Sequence, residues 1–303
     1  MDPIRRAWGA ITSPPGFRWV AGIVVVLLWL IIPSGGVVRL TGSGLGCTDW
    51  PLCNAGGIVP ASNHHAWIEF SNRMFSGVIM VLVVLAAVLV FFARDSTLAA
   101  RIGLVVAAVA TVGQIPLGAV TVIFDLHPLL VASHFLLSLV ALAGGVVAYL
   151  ESADVAAGVR RAFAKGAAWL AVLWTAALCT TVVTGVLVTS AGPHSGDPKV
   201  VKRFGMLDDA AYVHFRAVVA LLIVGVIVAW LIRGRRADRG LIVPALWFIP
   251  FFVAQVAIGE VQWRNQLPWQ VVVAHVTVAG IVWGLGSAIA WRLARPITSR
   301  SAG

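Results

Sequence analysis

Three histidines, His134, His214 and His275, stand inside long apolar stretches, where an ionisable side chain is costly and usually faces a bundle interior or a site. Each falls in the second turn of its stretch, roughly 6–10 Å below one membrane boundary at ~1.5 Å per residue. Neutral imidazoles projecting inward from facing helices are what a haem iron needs for axial ligation, and helical bundles commonly build cofactor sites this way. His214 and His275 then read as an axial pair. A single intramembrane histidine is as readily a hydrogen-bonded packing residue; three at one depth favour the ligand reading. A second constellation, Glu69-Phe70-Ser71-Asn72-Arg73, puts a carboxylate and an amide at i, i+3 on one helix face, with His65 one turn further out.

The elements that must position these groups are membrane helices. Of 303 residues, 60% are hydrophobic and 11% charged, with a mean hydropathy of +0.95, so a bilayer is the solvent. Crossing a ~30 Å hydrocarbon layer takes about 20 apolar residues, and eight stretches qualify: 17–37, 67–92, 98–121, 128–150, 165–189, 210–233, 241–261 and 268–293. The first follows a short basic leader with no small-residue cleavage site and is too long for a signal peptide, so it counts as a retained span. Arg5, Arg6, Arg94, Arg101, Arg160, Arg161, Lys165, Arg233, Arg235, Arg236, Arg239, Arg295 and Arg300 flank alternate ends of these spans, which by the positive-inside rule puts them and both termini in the cytoplasm. The formal charge of +10 is therefore a topology signal, and a nucleic-acid partner is excluded.

The chain also echoes itself. Gln114-Ile115-Pro116-Leu117-Gly118 matches Gln255-Val256-Ala257-Ile258-Gly259 at an offset of 141 (255 − 114), and the same offset carries His134 onto His275 (275 − 134). Thr41, Gly44 and Asp49 match Thr189, Gly192 and Asp197 at an offset of 148 (189 − 41). The expected fold is an all-α integral membrane protein, eight transmembrane helices as two repeated four-helix bundles. Its parts are a cytoplasmic segment 1–16, a first half 17–150 with outer loop 38–66, a linker 151–164, a second half 165–293 with outer loop 190–209, and a tail 294–303. The first half offers His134, Glu69 and Asn72, and the second offers two histidines. That asymmetry predicts a structural or electron-carrying haem in the second half and chemistry in the first.

Arg39, Arg73, Arg216 and Arg264 cluster near the outer boundary, where guanidinium groups can clamp haem propionates or simply anchor at the interface. Trp50, Trp67, Trp263 and Trp269 suit an aromatic belt. Cys47 and Cys53 share the first outer loop, where thiols can be oxidised and kept as a disulfide; with His64 and His65 they also have zinc-ligand chemistry, at a spacing that fits no common pattern. Cys179 reads as a small apolar filler. Gly42-Ser43-Gly44-Leu45-Gly46 lacks the context of a phosphate loop and reads as a tight turn.

The stretch Gly36-Val37-Val38-Arg39-Leu40-Thr41-Gly42-Ser43-Gly44-Leu45-Gly46-Cys47-Thr48-Asp49-Trp50-Pro51-Leu52-Cys53 resembles the outer-loop signature of haem A synthases, membrane enzymes of the cytochrome oxidase cofactor pathway. Gly192-Pro193-His194-Ser195-Gly196-Asp197 is similar to the second outer loop of the same family. The resemblance implies an oxidoreductase that converts the C8 methyl group of haem O stepwise to the formyl group of haem A, with a haem b cofactor. By position it implies that His214 and His275 ligate haem b iron, that His134 ligates the substrate haem with Asn72, Arg73 and Arg39 beside it, that Glu69 is catalytic, and that Cys47 and Cys53 form the outer-loop pair. Asn72 departs from the family, many of whose members have a second substrate-side histidine there. Three arrangements follow: iron five-coordinate through His134, a water held by Asn72, or recruitment of His65. Implied partners are haem O, the lipid of a plasma membrane, a haem O synthase, an electron acceptor or donor, and a second copy of the chain. The competing reading of the histidines is a non-enzymatic dihaem electron carrier; repeats alone would also suit a transporter.

Overall fold

A computed structural model describes residues 2–47, 50, 53–54, 59–60, 63–193, 205–233 and 238–300. Within them the chain forms α1 (Pro3–Ile11), α2 (Pro14–Leu40), α3 (His64–Leu89), α4 (Leu98–Ile123), α5 (Pro128–Ala156), β1 (Val159–Arg161), α6 (Lys165–Ala191), α7 (Leu207–Leu231), α8 (Arg239–Arg264), α9 (Trp269–Ala294) and β2 (Ile297–Arg300). The eight helices α2 to α9 are long and apolar enough to cross a membrane, and they fall on the eight expected stretches. Local chemistry starts several of them. Ser13 with Pro14, Asn63, Thr97, and His127 with Pro128 each accept a first-turn backbone N–H through the side chain.

The structure adds three elements to that expectation. The segment 1–16 carries α1, nine residues capped by Asp2, too short to show an apolar span. The linker 151–164 begins as helix, because α5 runs on to Ala156, and it also carries β1. The tail carries β2, which pairs antiparallel with β1. A pairing between residues about 140 apart in the chain leaves no local sequence signal.

Helices α2 to α5 close a ring in which each touches its neighbours, with α3 against α4 and α2 against α5. The second half is built differently. Helix α6 packs on α7 and on α9, α8 packs on α9, and α7 and α8 have no Cα pair within 8 Å among the described residues. The two halves meet through α2, α5, α6 and α9. Tryptophan N–H groups, which need partners when withdrawn from water, stitch α9 to its neighbours: Trp29 donates to the Thr277 carbonyl at 3.1 Å, Trp283 to Leu139 at 2.7 Å and Trp174 to Gly286 at 2.8 Å.

Helices α4 and α5 approach closest. A Cβ on Gly144 would stand 2.5 Å from the Gly103 carbonyl oxygen, and one on Gly103 2.6 Å from that of Gly144, with Ala107 and Ala148 completing the crossing. Small residues spaced by four let membrane helices touch backbone to backbone. Gly144→Val is expected to destabilise the protein by ~1–3 kcal/mol, read as a lower melting temperature in detergent. Gly77→Ala, where an added Cβ meets nothing within 4 Å, should leave it unchanged.

The turns that close α4–α5 and α8–α9 have one geometry. Asp125 and Leu126 have φ of 47° and 55°, Gln266 and Leu267 60° and 61°. The Leu126 N–H reaches the Thr121 carbonyl at 2.8 Å, and the Leu267 N–H reaches that of Gln262 at 2.7 Å, the six-to-one bond of a left-handed helix stop. Each turn delivers a histidine eight residues after Leu126 or Leu267, at positions 134 and 275 (134 − 126 and 275 − 267).

At the opposite end lies a buried charge cluster. Arg161 spans Asp238 (2.6 and 2.8 Å) and Asp154 (3.2 Å). Arg292 also pairs with Asp154, and Arg295 with Glu151, which further accepts from Thr97 and Trp291. These bonds join α4, α5, β1, the start of α8 and the end of α9. Arg161 and Arg295 are thus more than markers of topology.

Candidate functional site

His134, His214 and His275 lie six, seven and six residues after the first residues of α5, α7 and α9 (134 − 128, 214 − 207, 275 − 269), so all three sit about 9–10 Å down their helices. Each imidazole lies against a glycine of the preceding helix. A Cβ on Gly118 would come within 3.6 Å of His134 Cε1, on Gly185 within 3.0 Å of His214 Cε1, and on Gly259 within 3.2 Å of His275 Cε1.

In the second half, the Thr184 hydroxyl is 3.1 Å from His214 Nδ1, while the Gln255 amide nitrogen is 2.9 Å from His275 Nε2. An apolar groove of about 320 Å³ between α8 and α9 is lined by Ala257, Ile258, Val261, Gln270, Val271 and Ala274. In the first half, Gln114 donates to the His134 carbonyl at 3.0 Å and to Ser138 Oγ at 2.8 Å.

Glu69, 5% exposed, has both oxygens engaged. Oε1 accepts from Arg73 at 2.5 Å and Oε2 from the Cys47 backbone N–H at 2.9 Å. Cys47 and Cys53 form a disulfide that packs with Ala66 and Phe70, which removes both thiolates from any zinc site. No group of three or more metal-ligating side chains occurs among the described residues. The turn after α2 is tight as expected: Gly42 has φ 67°, Ser43 is fully buried, and a Cβ on Gly46 would stand 2.5 Å from the His65 backbone. Ser43 Oγ bonds Thr41 Oγ1 at 2.7 Å and His65 Nδ1 at 2.9 Å. The loop is therefore fastened to the N-terminal end of α3 at His65, Ala66 and Glu69.

Arg39, Arg73, Arg216 and Arg264 separate into two kinds. Arg39 reaches from α2 to the Thr189 carbonyl of α6 at 3.3 Å, and Arg73 holds Glu69. Arg216 and Arg264 are exposed, the first over the Tyr212 ring at 4.3 Å and the second paired with Glu260 at 2.5 Å. Trp50, Trp67, Trp263 and Trp269 are all exposed. Asp49, His194 and Asp197 lie outside the described residues.

Buried polar atoms almost always find partners, and here several have none: Asn72 Oδ1, Gln114 Oε1, His134 Nδ1, Gln255 Oε1, Gln262 Oε1 and His275 Nδ1. Imidazoles in glycine slots, with unmatched atoms on His134 and His275 and on the Gln114 and Gln255 beside them, fit a planar group carrying a metal ion.

A profile of the COX15-CtaA family, described as cytochrome oxidase assembly protein, matches residues 18–286. The chain belongs to this family. It is 37% identical over 124 residues to a protein named "Heme A synthase" from Bacillus licheniformis, 35% over 128 residues to one from Bacillus pumilus, and 34% over 125 residues to one from an Exiguobacterium species. These matches cover 40%, 42% and 41% of this chain and span about two-fifths, 41%, of each relative.

Sequence reasoning singled out Gln114 and Gln255 only as marks of repetition. Their place beside the histidines was signalled by the shared offset of 141, which carries glutamine, glycine and histidine together. Thr184 and Gly185, which hold His214, carried no such signal: their role depends on how α6 crosses α7.

Proposed function

We propose that this chain is a haem A synthase, oxidising the C8 methyl group of haem O stepwise to the formyl group of haem A, with haem b held in the second half. The observation that carries the reading is that a member of this family sets all three intramembrane histidines at one level, each against a glycine. His214 and His275 would hold haem b iron, with Thr184 and Gln255 orienting the two rings. Haem b, when bound, supplies electron relay. His134 would ligate the substrate haem, and Arg39, Arg73, Arg216 and Arg264 supply cationic groups for propionates.

Glu69 sits where it can take a proton or stabilise positive charge as the methyl is oxidised. Arg73 and the Cys47 N–H hold its two oxygens in place, so the disulfide loop positions this carboxylate. The positive-inside rule supports cytoplasmic termini and haem sites near the outer face, and the membrane in this reading is the plasma membrane. A haem O synthase, an electron acceptor or donor, and a second copy are partners this chemistry would use.

The test is mass-resolved chromatography of haems from cells that express the chain with a haem O-forming farnesyltransferase and lack their own haem A synthase. A haem A peak missing from the vector control is expected. Haem b copurifying while haem O stays unconverted would favour an electron carrier instead. Gly259→Val and Gly185→Val, each pushing a Cβ to 3.2 or 3.0 Å from an imidazole, should lower bound haem b about 10- to 100-fold, measured as haem absorbance per purified chain.

A further inference from the structure

We propose that the substrate-side iron is held by the protein on one side only, through His134, and that its opposite coordination position, beside Asn72, is open to a small diatomic ligand. The inference rests on the reading of the first half as a haem site. Its ground is a comparison of what surrounds an embedded second imidazole in one half with what stands in the other.

In the second half, His214 is accommodated by two neighbours on α6: the Thr184 hydroxyl on Nδ1 at 3.1 Å and Gly185, where even a Cβ would come within 3.0 Å of the ring. On α2 of the first half, a Cβ on Gly36 would meet Val276 of α9 at 3.7 Å, and one on Gly35 would meet nothing within 4 Å, so neither glycine has an imidazole seated against it. Where the family resemblance expects a second substrate-side histidine stands Asn72, a neutral amide, which is outside the usual axial ligands of haem: histidine, cysteine, methionine and tyrosine. Its Oδ1 is buried without a hydrogen-bond partner.

The other candidates for the vacant position are engaged. His65 bonds Ser43 through Nδ1 at 2.9 Å, its ring lies 3.9 Å from that of His64, and Gly46 abuts its backbone. Moving it inward would break the turn after α2. Glu69 has both oxygens taken by Arg73 and the Cys47 N–H. Cys47 and Cys53 are bonded to each other. Asn72 itself brings one acceptor and two amide donors, suited to a hydrogen bond with a diatomic or a water at that position, where a histidine would close it.

The full-length chain, purified from cells that make haem O, is reduced with dithionite and titrated with carbon monoxide, with total haem measured in the same samples. The wild type should form about one light-reversible carbon monoxide adduct per chain holding two haems, leaving the haem at His214 and His275 unreactive. Asn72→His should keep the haem content, lower the adduct at least 10-fold and give a low-spin spectrum. His134→Ala should remove the reactive haem. Two haems per chain with no carbon monoxide binding, or an adduct that survives His134→Ala, would overturn the open position. A chain that retains only the haem at His214 and His275 would instead sink the first-half haem reading, and this inference with it.

Discussion

Glu69→Gln is expected to abolish haem A formation, by at least about 100-fold if the carboxylate acts on protons in the reaction, while haem b stays bound through His214 and His275. The substitution is chosen for what it leaves in place. A glutamine keeps the side-chain volume and still offers an oxygen to the Cys47 N–H, which now lies 2.9 Å from Oε2, so the disulfide loop remains seated on α3. What it removes is the negative charge opposite Arg73 and the capacity to take a proton. Thiol labelling before and after reduction should show the Cys47–Cys53 bond intact in the variant, and haem spectra should show normal haem b. Wild-type levels of haem A from that variant would remove Glu69 from the chemistry and leave it the role of fastening the loop.

Arg161→Leu should cost ~3–5 kcal/mol, because removing one partner of a buried ion pair leaves the others uncompensated. The Arg161 side chain is 3% exposed and serves Asp238 and Asp154 together. Burial alone would lower its pKa, but the hydrogen bond to Asp238 and the charge of Asp154 outweigh it, and the pKa is raised. Burial would likewise raise Asp238, yet the hydrogen bond and charge of Arg161, with the charge of Arg292, hold this carboxyl below its ordinary value of 3.8. A depressed carboxyl contributes stability that is fully present above its unfolded pKa and is lost as pH falls through the folded value. Melting temperature in detergent should therefore be flat in this respect above about pH 4 and fall below it, more steeply in the wild type than in Asp238→Asn. Equal acid profiles for the two would show that Asp238 contributes nothing to the acid limb. Arg161→Lys should recover little, since a single ammonium cannot span both carboxylates as the guanidinium fork does.

The eight spans were legible in the sequence because the bilayer sets a price on every residue of a crossing segment, and about 20 apolar residues in a row record it locally. The depth of His134, His214 and His275 was legible for the same reason, being a count from a helix end. So was the shared loop of Cys47 and Cys53, and the signature from Gly36 to Cys53 pointed to the family. Arg73 one turn from Glu69 could be read from spacing alone. Nothing local showed that the Cys47 N–H closes on the other Glu69 oxygen, since the two residues are joined only by how the loop folds back on α3. The same holds for Thr184 and Gly185 around His214, for α7 and α8 standing apart where α3 and α4 touch, and for Arg161, whose partners lie 7 and 77 residues away. Hydropathy is a sum over one segment and survives in the sequence as a pattern; hydrogen bonds and close approaches between helices depend on which faces meet, and only the packed structure decides that.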